Sequence, residues 1–594
     1  MKNYHTMKRY GFFLLTVFLS AALNAQIKWI DPLDGIVPHV QGRAWNMEIG
    51  NNYHRLPERA KNIVRKPVWD LSTNSAGLFI DFYCNAPELI VKYTVSGNKT
   101  LPNLTTIAVS GLDLYSTDCH GVTDWCACPG NYSFGTQTND TIIFHYKDLV
   151  YHNYHQRGNE YRLFLPLYNT VTSLKIGIPD SCELKFAPLP SEKPILIYGT
   201  SIAQGASASR PAMAWTNIVQ RRIDSPVINL GFSGNGLMDA SVYDLISEVD
   251  AQIYILDCMP NMYSIHDSIV SRTIAGVRKI RAKSKAPVLL VENDGYMYGK
   301  TNRSIENECI VTNRELKKAY ELLLAEGVKN LFYLTNEEIG MTPDAQTDGW
   351  HASDIGMQLY ADAYVKKINE ILGRHPMSLF EPCRQRREPD HYEWAERHEA
   401  VVKMNRTTNP EILMIGNSII NFWGGEPAGY HHSGIKAWNN LFGKRHVTNM
   451  GFGWDRIENV FWRIYHGELD GCHPKHICLL IGTNNLEKNT NDEIVSGIIG
   501  LVNLIREEQP QAYLHVLSVF PRQGQESRIV ELNSLLQTKL ITNDKVDLID
   551  LTPQLILKDG TGKIDNSLFT DGLHPNETGY GRIAKVLKPI FREP

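Results

Sequence analysis

Two apolar stretches, ILIYGTSI at residues 195–202 and ILMIGNSI at residues 412–419, determine the fold class of this chain. Each is a short run of large apolar residues followed by a glycine and, two positions later, by a serine, Ser201 or Ser418. Short apolar runs bounded by glycine are typical of strands that are buried on both faces of a parallel sheet. Ligands bind at the carboxyl ends of such strands, so both serines are predicted to lie at the mouth of a cleft.

An Asp-x-x-His motif follows each stretch at nearly the same distance. TDGWHASDIG at 347–356 contains His351 and TDGLHPNETG at 570–579 contains His574, and these histidines follow the two serines by 150 and 156 residues. The aspartate can orient the imidazole, which can then act as a base for the serine. Alone, such a serine or aspartate is more simply a helix-capping residue. Because the whole set occurs twice in one order, we predict two catalytic sets: Ser201, Asp348 and His351, and Ser418, Asp571 and His574.

Composition excludes several classes of function. The chain has 594 residues, of which 43% are hydrophobic and 21% are charged, as is typical of globular proteins. The formal net charge is −4, and no long run of lysine and arginine interleaves with aromatic residues, so a nucleic-acid partner is not expected. The length exceeds what one core supports, which implies several domains.

The N-terminus has the pattern of a secretory signal peptide over residues 1–25. Three basic residues precede the apolar run GFFLLTVFLSAAL, and a plausible cleavage site lies before Gln26. The alternative is a buried N-terminal strand or helix. No other segment approaches the ~20 apolar residues of a membrane span, and no cysteine follows the apolar run to carry a lipid anchor. We therefore predict a secreted or periplasmic protein without a membrane span.

Hydrophobic periodicity divides the rest of the chain into three domains and a linker. Residues 26–190 contain short runs rich in β-branched and aromatic residues, which predicts an N-terminal β-sandwich of jelly-roll type. Residues 191–375 and 390–594 alternate short apolar strands with amphipathic helices, which predicts two α/β domains with parallel sheets. The polar, basic and proline-containing segment 376–389 is predicted to link them.

No metal and no cofactor are predicted. Among the ten cysteines, Cys119, Cys126 and Cys128 lie near His120, but their spacing fits none of the common zinc frameworks. A loop disulfide or buried thiols are favoured over a metal site. Acyl transfer by a serine needs no cofactor. The sequence leaves the oligomeric state open.

Acyl transfer also requires hydrogen-bond donors for the oxyanion that forms on the substrate carbonyl. After the second strand of each copy, NLGFSGNG at 229–236 offers the backbone N–H of Gly234, and NMGFGWD at 449–455 lies at the same place. The third strand is followed by Asn261 in the first copy and by Asn484 in the second. Each asparagine alone could be a turn residue. Two at matching strand ends predict that both side-chain amides reach the cleft.

The ordered set of Ser, Gly, Asn and Asp-x-x-His resembles the SGNH (GDSL) hydrolase superfamily, whose domains have a flavodoxin-like three-layer α/β/α fold. The second copy looks most like the branch that contains platelet-activating-factor acetylhydrolase catalytic subunits and many bacterial carbohydrate esterases. That likeness is carried by NMGFGWDRIENVFWRIYHGELDGCHPKHICLLIGTNNLEKNT at 449–490. The first copy looks like a bacterial branch that often follows a β domain with a G-x-D-L-Y motif, which reads GLDLY at 111–115 here.

The chain also departs from the family pattern. The aspartate that precedes the serine in the family is Thr200 in the first copy and Asn417 in the second, and Met259 replaces a family glycine. The oxyanion glycine aligns with Trp454 in the second copy. None of these changes removes a group that transfers a proton. The resemblance implies the oxyanion donors Gly234, Asn261, Trp454 and Asn484.

Together these features predict a serine esterase with two SGNH domains. The resemblance implies hydrolysis of O-acyl esters, O-acetyl esters above all, on polysaccharides or oligosaccharides through an acyl-enzyme. The carbohydrate substrate is an analogy that depends on export, on the family and on a β domain that could bind glycans. Two alternatives remain open: a lipid-directed acetylhydrolase or lysophospholipase, and a glycan-binding protein with a degenerate esterase domain.

Overall fold

The computed structural model describes residues 26–131, 134, 141–150, 155–388 and 392–591, so the predicted signal peptide lies outside the described residues. Within these ranges, two antiparallel sheets are followed along the chain by two five-stranded parallel sheets. No helix in the described part of the chain is long and apolar enough to cross a membrane. The predicted fold class, an N-terminal β domain followed by two α/β domains, is confirmed.

The N-terminal β domain consists of two antiparallel sheets around one core. Its strands are β1 (Ile27–Ile30), β2 (Phe79–Cys84), β3 (Leu89–Val95), β4 (Asp113–Thr117), β5 (Thr123–Cys126), β6 (Thr141–Tyr146), β7 (Asn159–Phe164), β8 (Val171–Pro179) and β9 (Leu184–Phe186). The strand orders are β1-β8-β3-β6 and β5-β4-β7-β2-β9. Buried side chains of both sheets, among them Phe82, Val91, Leu114 and Ile176, share the core, as expected when one face of each sheet is apolar.

Short helices interrupt the β domain. The sequence pattern, which indicated strands, did not predict them. They are α1 (Asn46–Ile49), α2 (Lys66–Ser72) and α3 (Thr106–Ser110). Side chains around α2, including Leu56, Val64, Val68 and Trp69, pack into the core of the first α/β domain. The N-terminal domain therefore supplies part of the hydrophobic core of the next domain.

The first α/β domain contains a sheet with the order β11-β10-β12-β13-β14, the 2-1-3-4-5 order of flavodoxin-like folds. Its strands are β10 (Ile195–Gly199), β11 (Val227–Gly231), β12 (Ile253–Asp257), β13 (Val288–Val291) and β14 (Leu331–Leu334). Its helices are α4 (Ser201–Gln204), α5 (Trp215–Ile223), α6 (Ala240–Ile246), α7 (Ile269–Arg281), α8 (Arg303–Ala325), α9 (Asn336–Ile339) and α10 (Asp354–Ile371). Ile195 and Ile197 enter one core and Leu196 and Tyr198 the other, which explains the unbroken apolar run.

The second α/β domain repeats this sheet with the order β16-β15-β17-β18-β19. Its strands are β15 (Ile412–Gly416), β16 (Val447–Gly451), β17 (His476–Leu480), β18 (Tyr513–Leu517) and β19 (Val546–Ile549). Its helices are α11 (Trp394–Thr408), α12 (Ser418–Asn421), α13 (Ile435–Phe442), α14 (Ile457–Tyr465), α15 (Asn491–Glu508), α16 (Glu526–Lys539) and α17 (Glu577–Leu587). The helix α11 precedes the first strand and has no counterpart directly before β10.

The G-x-D-L-Y motif attaches the β domain to the first α/β domain. The buried carboxylate of Asp113 accepts hydrogen bonds from Arg210 Nη1 at 2.5 Å and from the backbone N–H of Ala212 at 3.0 Å. Arg210 Nη2 also donates to the hydroxyl of Tyr115 at 3.0 Å. Arg210 and Ala212 belong to the loop that follows α4, the helix that begins at Ser201. The aspartate and tyrosine of the motif therefore fix a loop next to the candidate nucleophile.

The segment predicted as a linker, 376–389, is buried toward its C-terminal end. Gln385, Arg386 and Arg387 are all buried. Arg386 pairs with Glu393, with Nε 3.0 Å from Oε2. Charges at this position can be buried because each is paired or hydrogen-bonded.

Candidate active site

Both candidate nucleophiles lie at the carboxyl end of the first strand of their sheet. Ser201 is the first residue of α4 and Ser418 is the first residue of α12, and both side chains are buried. In each case the preceding residue caps the helix, since the side chains of Thr200 and Asn417 accept hydrogen bonds from the backbone N–H two positions later. The serines are therefore not the helix caps, and each serine Oγ contacts a histidine.

In the first α/β domain, hydrogen bonds join the serine, the histidine and the aspartate, a group here named site 1. His351 Nε2 lies 2.9 Å from Ser201 Oγ, and His351 Nδ1 lies 2.7 Å from Asp348 Oδ2. Burial acts to raise the pKa of Asp348, but hydrogen bonds from the side chain and backbone of His351 and from the backbone of Trp350 outweigh it and lower the pKa. The carboxylate therefore stays charged and favours the tautomer with a proton on Nδ1, which leaves Nε2 able to accept the serine proton.

The second α/β domain has the same arrangement, here named site 2. His574 Nε2 lies 2.8 Å from Ser418 Oγ, and His574 Nδ1 lies 2.7 Å from Asp571 Oδ2. Burial opposes, but hydrogen bonds from the backbone and side chain of His574 lower the pKa of Asp571. The glycine after each aspartate has a left-handed backbone, with φ of 90° at Gly349 and 77° at Gly572. Glycine adopts this conformation without strain, which explains why Asp-Gly occurs in both turns.

Gly234 and Trp454 occupy equivalent backbone positions. The strands before them end at Gly231 and Gly451, and each of these glycines pairs with the last residue of the strand that leads to the serine. Three residues later, φ is 65° at Gly234 and 63° at Trp454. This conformation is ordinary for glycine but strained for an aromatic residue, at about 1–3 kcal/mol. The backbone therefore supports the alignment of Trp454 with the family's oxyanion glycine.

Hydrogen bonds from the connection between the α/β domains hold the strained turn at Trp454. Arg387 Nη2 donates to the carbonyl of Trp454 at 2.9 Å, and Gln385 Nε2 donates to the carbonyl of Gly453 at 2.8 Å. The hydroxyl of Tyr392 accepts from the backbone N–H of Gly453 at 2.8 Å. A residue in an unfavourable conformation persists when its surroundings fix it in this way.

The two asparagines predicted as oxyanion donors are each anchored to the turn of their own site. Both follow the strand next to the serine's strand, β12 for Asn261 and β17 for Asn484. Asn261 Oδ1 accepts from the backbone N–H of Gly236 at 3.1 Å, and Asn484 Nδ2 donates to the carbonyl of Asp455 at 2.9 Å. The structure therefore brings both amides to the sheet edge where the serines lie.

The N-terminal β domain contributes two side chains to site 1 that sequence reasoning missed. The hydroxyl of Tyr168 donates to the backbone carbonyl of Ser201 at 3.3 Å, and Asn103 Nδ2 donates to Asp348 Oδ2 at 3.4 Å. These partners are 33 and 245 residues apart in the chain. No local pattern marks such a contact, so no motif could have revealed it.

Each site has one strongly exposed tryptophan beside it. Trp350 lies between the aspartate and the histidine of site 1 and is 46% exposed, and Trp454 lies on the oxyanion turn of site 2 and is 40% exposed. Leu573 replaces Trp350 in the second copy, and Gly234 replaces Trp454 in the first. The two tryptophans therefore belong to different segments of the two sites: Trp350 precedes the histidine of site 1, and Trp454 lies on the oxyanion turn of site 2.

Two buried carboxyl groups lie in the first α/β domain. Asp257 ends β12 beside Gly199, where the second domain has Leu480 beside its own strand end. Burial raises the pKa of Asp257 to about 7, and burial likewise raises the pKa of Asp294 to about 7. One oxygen of each carboxyl has no hydrogen-bond partner among the described residues.

This burial predicts that stability falls as pH rises. In the unfolded chain Asp257 ionises near its ordinary pKa of about 3.9, so between pH ~4 and ~7 the folded state binds more protons and loses stability with rising pH. Asp257→Asn cannot ionise and is expected to flatten the fall in melting temperature across this window. Asp267→Asn, whose side chain is 98% exposed, is the control. If the melting temperatures of wild type and Asp257→Asn fall equally between pH ~4 and ~7, the prediction is wrong.

No group of three or more His, Cys, Asp or Glu side chains could hold a metal ion in the part of the chain that the structure describes. All ten cysteines lie within the described ranges, and each is a free thiol.

Comparison with known proteins identifies the family of each domain. Models of the GDSL-like lipase/acylhydrolase family match residues 192–369 and 414–582, and a model of the N-terminus of SGNH-hydrolase-type esterases matches residues 27–184. The chain is 30% identical over 202 residues to platelet-activating factor acetylhydrolase IB subunit alpha1 of Pongo abelii, a match that covers 33% of this chain and 82% of that protein. It is 31% identical over 204 residues to subunit alpha2 of Rattus norvegicus, covering 34% and 84%.

A solved structure adds to this comparison. A protein from Bacteroides ovatus described as a GDSL-like lipase has 30% identity and a TM-score of 0.52, and the match covers 59% of this chain and 98% of that one. Nearly the whole of that protein is therefore matched by a little over half of this chain. The chain therefore belongs to the GDSL-like lipase/acylhydrolase family of SGNH hydrolases and carries two copies of the family's domain behind an N-terminal β domain.

Proposed function

We propose that this protein is a secreted or periplasmic serine esterase that removes O-acyl groups, O-acetyl groups foremost, from polysaccharides or oligosaccharides. The observation that carries the proposal is the unbroken Ser–His–Asp chain in both α/β domains, with hydrogen bonds of 2.7 to 2.9 Å. Membership of an acylhydrolase family supports ester hydrolysis. The proposed export depends on the pattern of residues 1–25.

The proposed reaction is a double displacement. The serine Oγ attacks the ester carbonyl while the histidine Nε2 takes its proton, and the histidine then gives that proton to the leaving alcohol. Water, deprotonated by the same histidine, then attacks the acyl-enzyme, and the histidine returns that proton to the serine Oγ as the acid leaves. The negative oxygen in each step is held by the backbone N–H of Gly234 or Trp454 and the amide of Asn261 or Asn484.

The exposed tryptophans support a carbohydrate as the leaving alcohol. Trp350 and Trp454 are 46% and 40% exposed, and a pyranose ring has an apolar face of C–H groups that can stack on an aromatic ring. Large aromatic side chains contribute much contact area at little entropic cost. The β domain extends site 1 through Tyr168 and Asn103, which adds polar groups where a sugar could bind.

The proposal is tested by measuring acetate release from acetylated polysaccharides and from acetylated glycerophospholipids. We expect release from at least one polysaccharide and none from the lipids. The lipid arm is included because two relatives are named for platelet-activating factor. Release from lipids alone would replace the proposed substrate with that alternative. Failure of a fluorophosphonate to label either serine would instead favour a binding protein with degenerate sites.

Trp454→Gly is expected to separate substrate binding from chemistry in site 2. The variant restores the usual family residue, removes the ring and relieves the strained backbone, so it should melt no lower than wild type. Measured in a Ser201→Ala background, KM for an acetylated oligosaccharide should rise about tenfold, with hydrolysis of nitrophenyl acetate unchanged. Tyr513→Ala, at the amino end of β18 and therefore at the other end of the sheet, is the control. Equal losses on both substrates would show that Trp454 has a structural role only.

A further inference from the structure

Two buried arginines occupy the same place beside the oxyanion turns of the two sites. Arg55 Nη1 donates to the carbonyls of Asn229 at 3.1 Å and Gly231 at 2.8 Å. Arg397 donates to the equivalent carbonyls, from Nη2 to Asn449 at 3.1 Å and from Nε to Gly451 at 2.8 Å. Each pair of carbonyls belongs to the last residues of β11 or β16.

These carbonyls need a partner because β11 and β16 are the edge strands of their sheets. Alternate residues of an edge strand direct their carbonyls away from the sheet, and such groups must be satisfied when they are buried. A guanidinium has several donors in a fixed plane, so one side chain can bind two carbonyls that are two residues apart. Each arginine therefore closes the edge at the point where the strand continues into the oxyanion turn.

Each arginine also contacts the turn itself. The guanidinium carbon lies 5.2 Å from the ring centroid of Phe232 for Arg55 and 5.2 Å from that of Phe452 for Arg397. These phenylalanines directly follow the strands and lie two residues before Gly234 and Trp454. Each arginine thus holds both the end of the strand and the phenylalanine that begins the turn with the oxyanion donor.

The two arginines come from unrelated parts of the chain. Arg397 lies on α11, the helix that precedes the first strand of the second α/β domain. Arg55 lies in the N-terminal β domain between α1 and α2, and also donates to the carbonyls of Leu71 at 2.6 Å and Asn74 at 2.9 Å. The first α/β domain has no helix directly before β10, so the β domain supplies the arginine that α11 supplies in the second.

We propose that Arg55 and Arg397 are positioning residues that hold the oxyanion turns in their catalytic shape, and that the N-terminal β domain is therefore an obligatory part of site 1. This inference rests on the proposed function, because an oxyanion turn matters only to an acyl-transfer reaction. A positive charge fixed behind the turn in a dry environment would also favour the negative oxygen that develops in the transition state.

The test compares arginine variants in proteins where only one site can react. Arg55→Met is measured in a Ser418→Ala background and Arg397→Met in a Ser201→Ala background, with nitrophenyl acetate as substrate. We expect kcat per fluorophosphonate-labelled serine to fall roughly 10- to 100-fold, less than for a direct oxyanion donor, with KM changed by less than about twofold. Arg55→Lys and Arg397→Lys keep the charge and one donor and are expected to restore part of kcat.

Two matched controls separate positioning from general stability. Arg281 donates to the carbonyls of Ala286 at 2.6 Å and Asn330 at 2.8 Å, and Arg506 donates to the carbonyl of Ala512 at 2.5 Å. Both bind backbone carbonyls in the α/β domains, away from the turns. Arg281→Met and Arg506→Met are expected to lower the melting temperature and leave kcat per labelled serine unchanged.

Two results would overturn the positioning role. One is a folded Arg55→Met or Arg397→Met protein with unchanged kcat per labelled serine, since the arginine would then only close the sheet edge. The other is a loss caused by Arg55→Met that appears equally at Ser418 when measured in a Ser201→Ala background. Failure of the proposed function differs from both. If the wild-type protein hydrolyses nitrophenyl acetate but no sugar ester, only the proposed substrate class is wrong. If a fluorophosphonate labels neither serine, the proposed reaction is wrong, and the positioning role is wrong with it.

Discussion

Replacing Ser201 and Ser418 together by alanine is expected to abolish hydrolysis of every ester that the protein cleaves. Loss of a catalytic serine typically lowers kcat by about 10⁴- to 10⁶-fold, because no other group can form the acyl-enzyme. Each single variant should lose only the activity of the site that contains the replaced serine. The measurement is kcat on nitrophenyl acetate and on an acetylated oligosaccharide, together with the number of serines that a fluorophosphonate labels, which should fall from two to one to none.

The control for this prediction is Ser247→Ala. Ser247 is buried, and its Oγ donates to the carbonyl of Asp244 at 2.9 Å, so its loss removes a serine hydroxyl from the first α/β domain and leaves site 1 intact. Full activity of Ser201→Ala or Ser418→Ala on every ester tried would mean that the altered domain does not catalyse the reaction. Activity in the double variant would require a third nucleophile and would contradict the proposed mechanism.

The parts of the sites that sequence could predict are those set by short-range patterns. Ser201 and Ser418 could be located because a strand that is buried on both faces has a distinctive apolar run, and because its carboxyl end is where ligands bind. The Asp-x-x-His motif is likewise local, since one turn places both side chains and a left-handed glycine shapes it. The repetition of the whole set turned two ambiguous patterns into a specific prediction.

The contacts that sequence could not predict are those made by side chains far away in the chain. Arg55 contacts Gly231 across 176 residues and Tyr168 contacts Ser201 across 33 residues. Neither residue is part of a repeated motif, and each lies in a domain whose strand-like texture suggested a separate sandwich. Their placement depends on how the β domain packs against its neighbour, which periodicity within one element cannot determine.

The role of Trp454 becomes clear only when its place in the sequence is combined with its backbone conformation. The alignment placed an aromatic residue at a glycine position, which by sequence alone could be a misaligned core residue. The positive φ shared with Gly234, together with the exposed ring, makes it a residue that the fold holds in an unfavourable conformation at the site. Strained residues of this kind are concentrated at functional sites, which is why the Trp454→Gly comparison is informative about substrate binding.

Replacing the oxyanion asparagines has the second largest expected effect. Asn261→Ala and Asn484→Ala should each lower kcat of their own site by roughly 10²- to 10³-fold, the usual loss for one oxyanion donor. The amide N–H groups would bind the substrate oxygen only once it becomes negative, so KM should change little. Site 1 is measured in a Ser418→Ala background and site 2 in a Ser201→Ala background.

Asn261→Asp is the sharper variant because it changes only the donor end of the side chain. Its carboxylate can still accept the hydrogen bond from the backbone N–H of Gly236 that Asn261 Oδ1 accepts at 3.1 Å, but it has no N–H to donate and adds a negative charge. The loss of kcat should therefore be at least as large as for Asn261→Ala, with the turn better preserved. Asn485→Ala is the control in the second domain, since Asn485 Oδ1 accepts from the backbone N–H of Ile457 at 3.0 Å and binds no substrate in the proposed mechanism. An unchanged kcat in folded Asn261→Asp would show that Asn261 is a turn residue and that the oxyanion of site 1 is held by backbone donors alone.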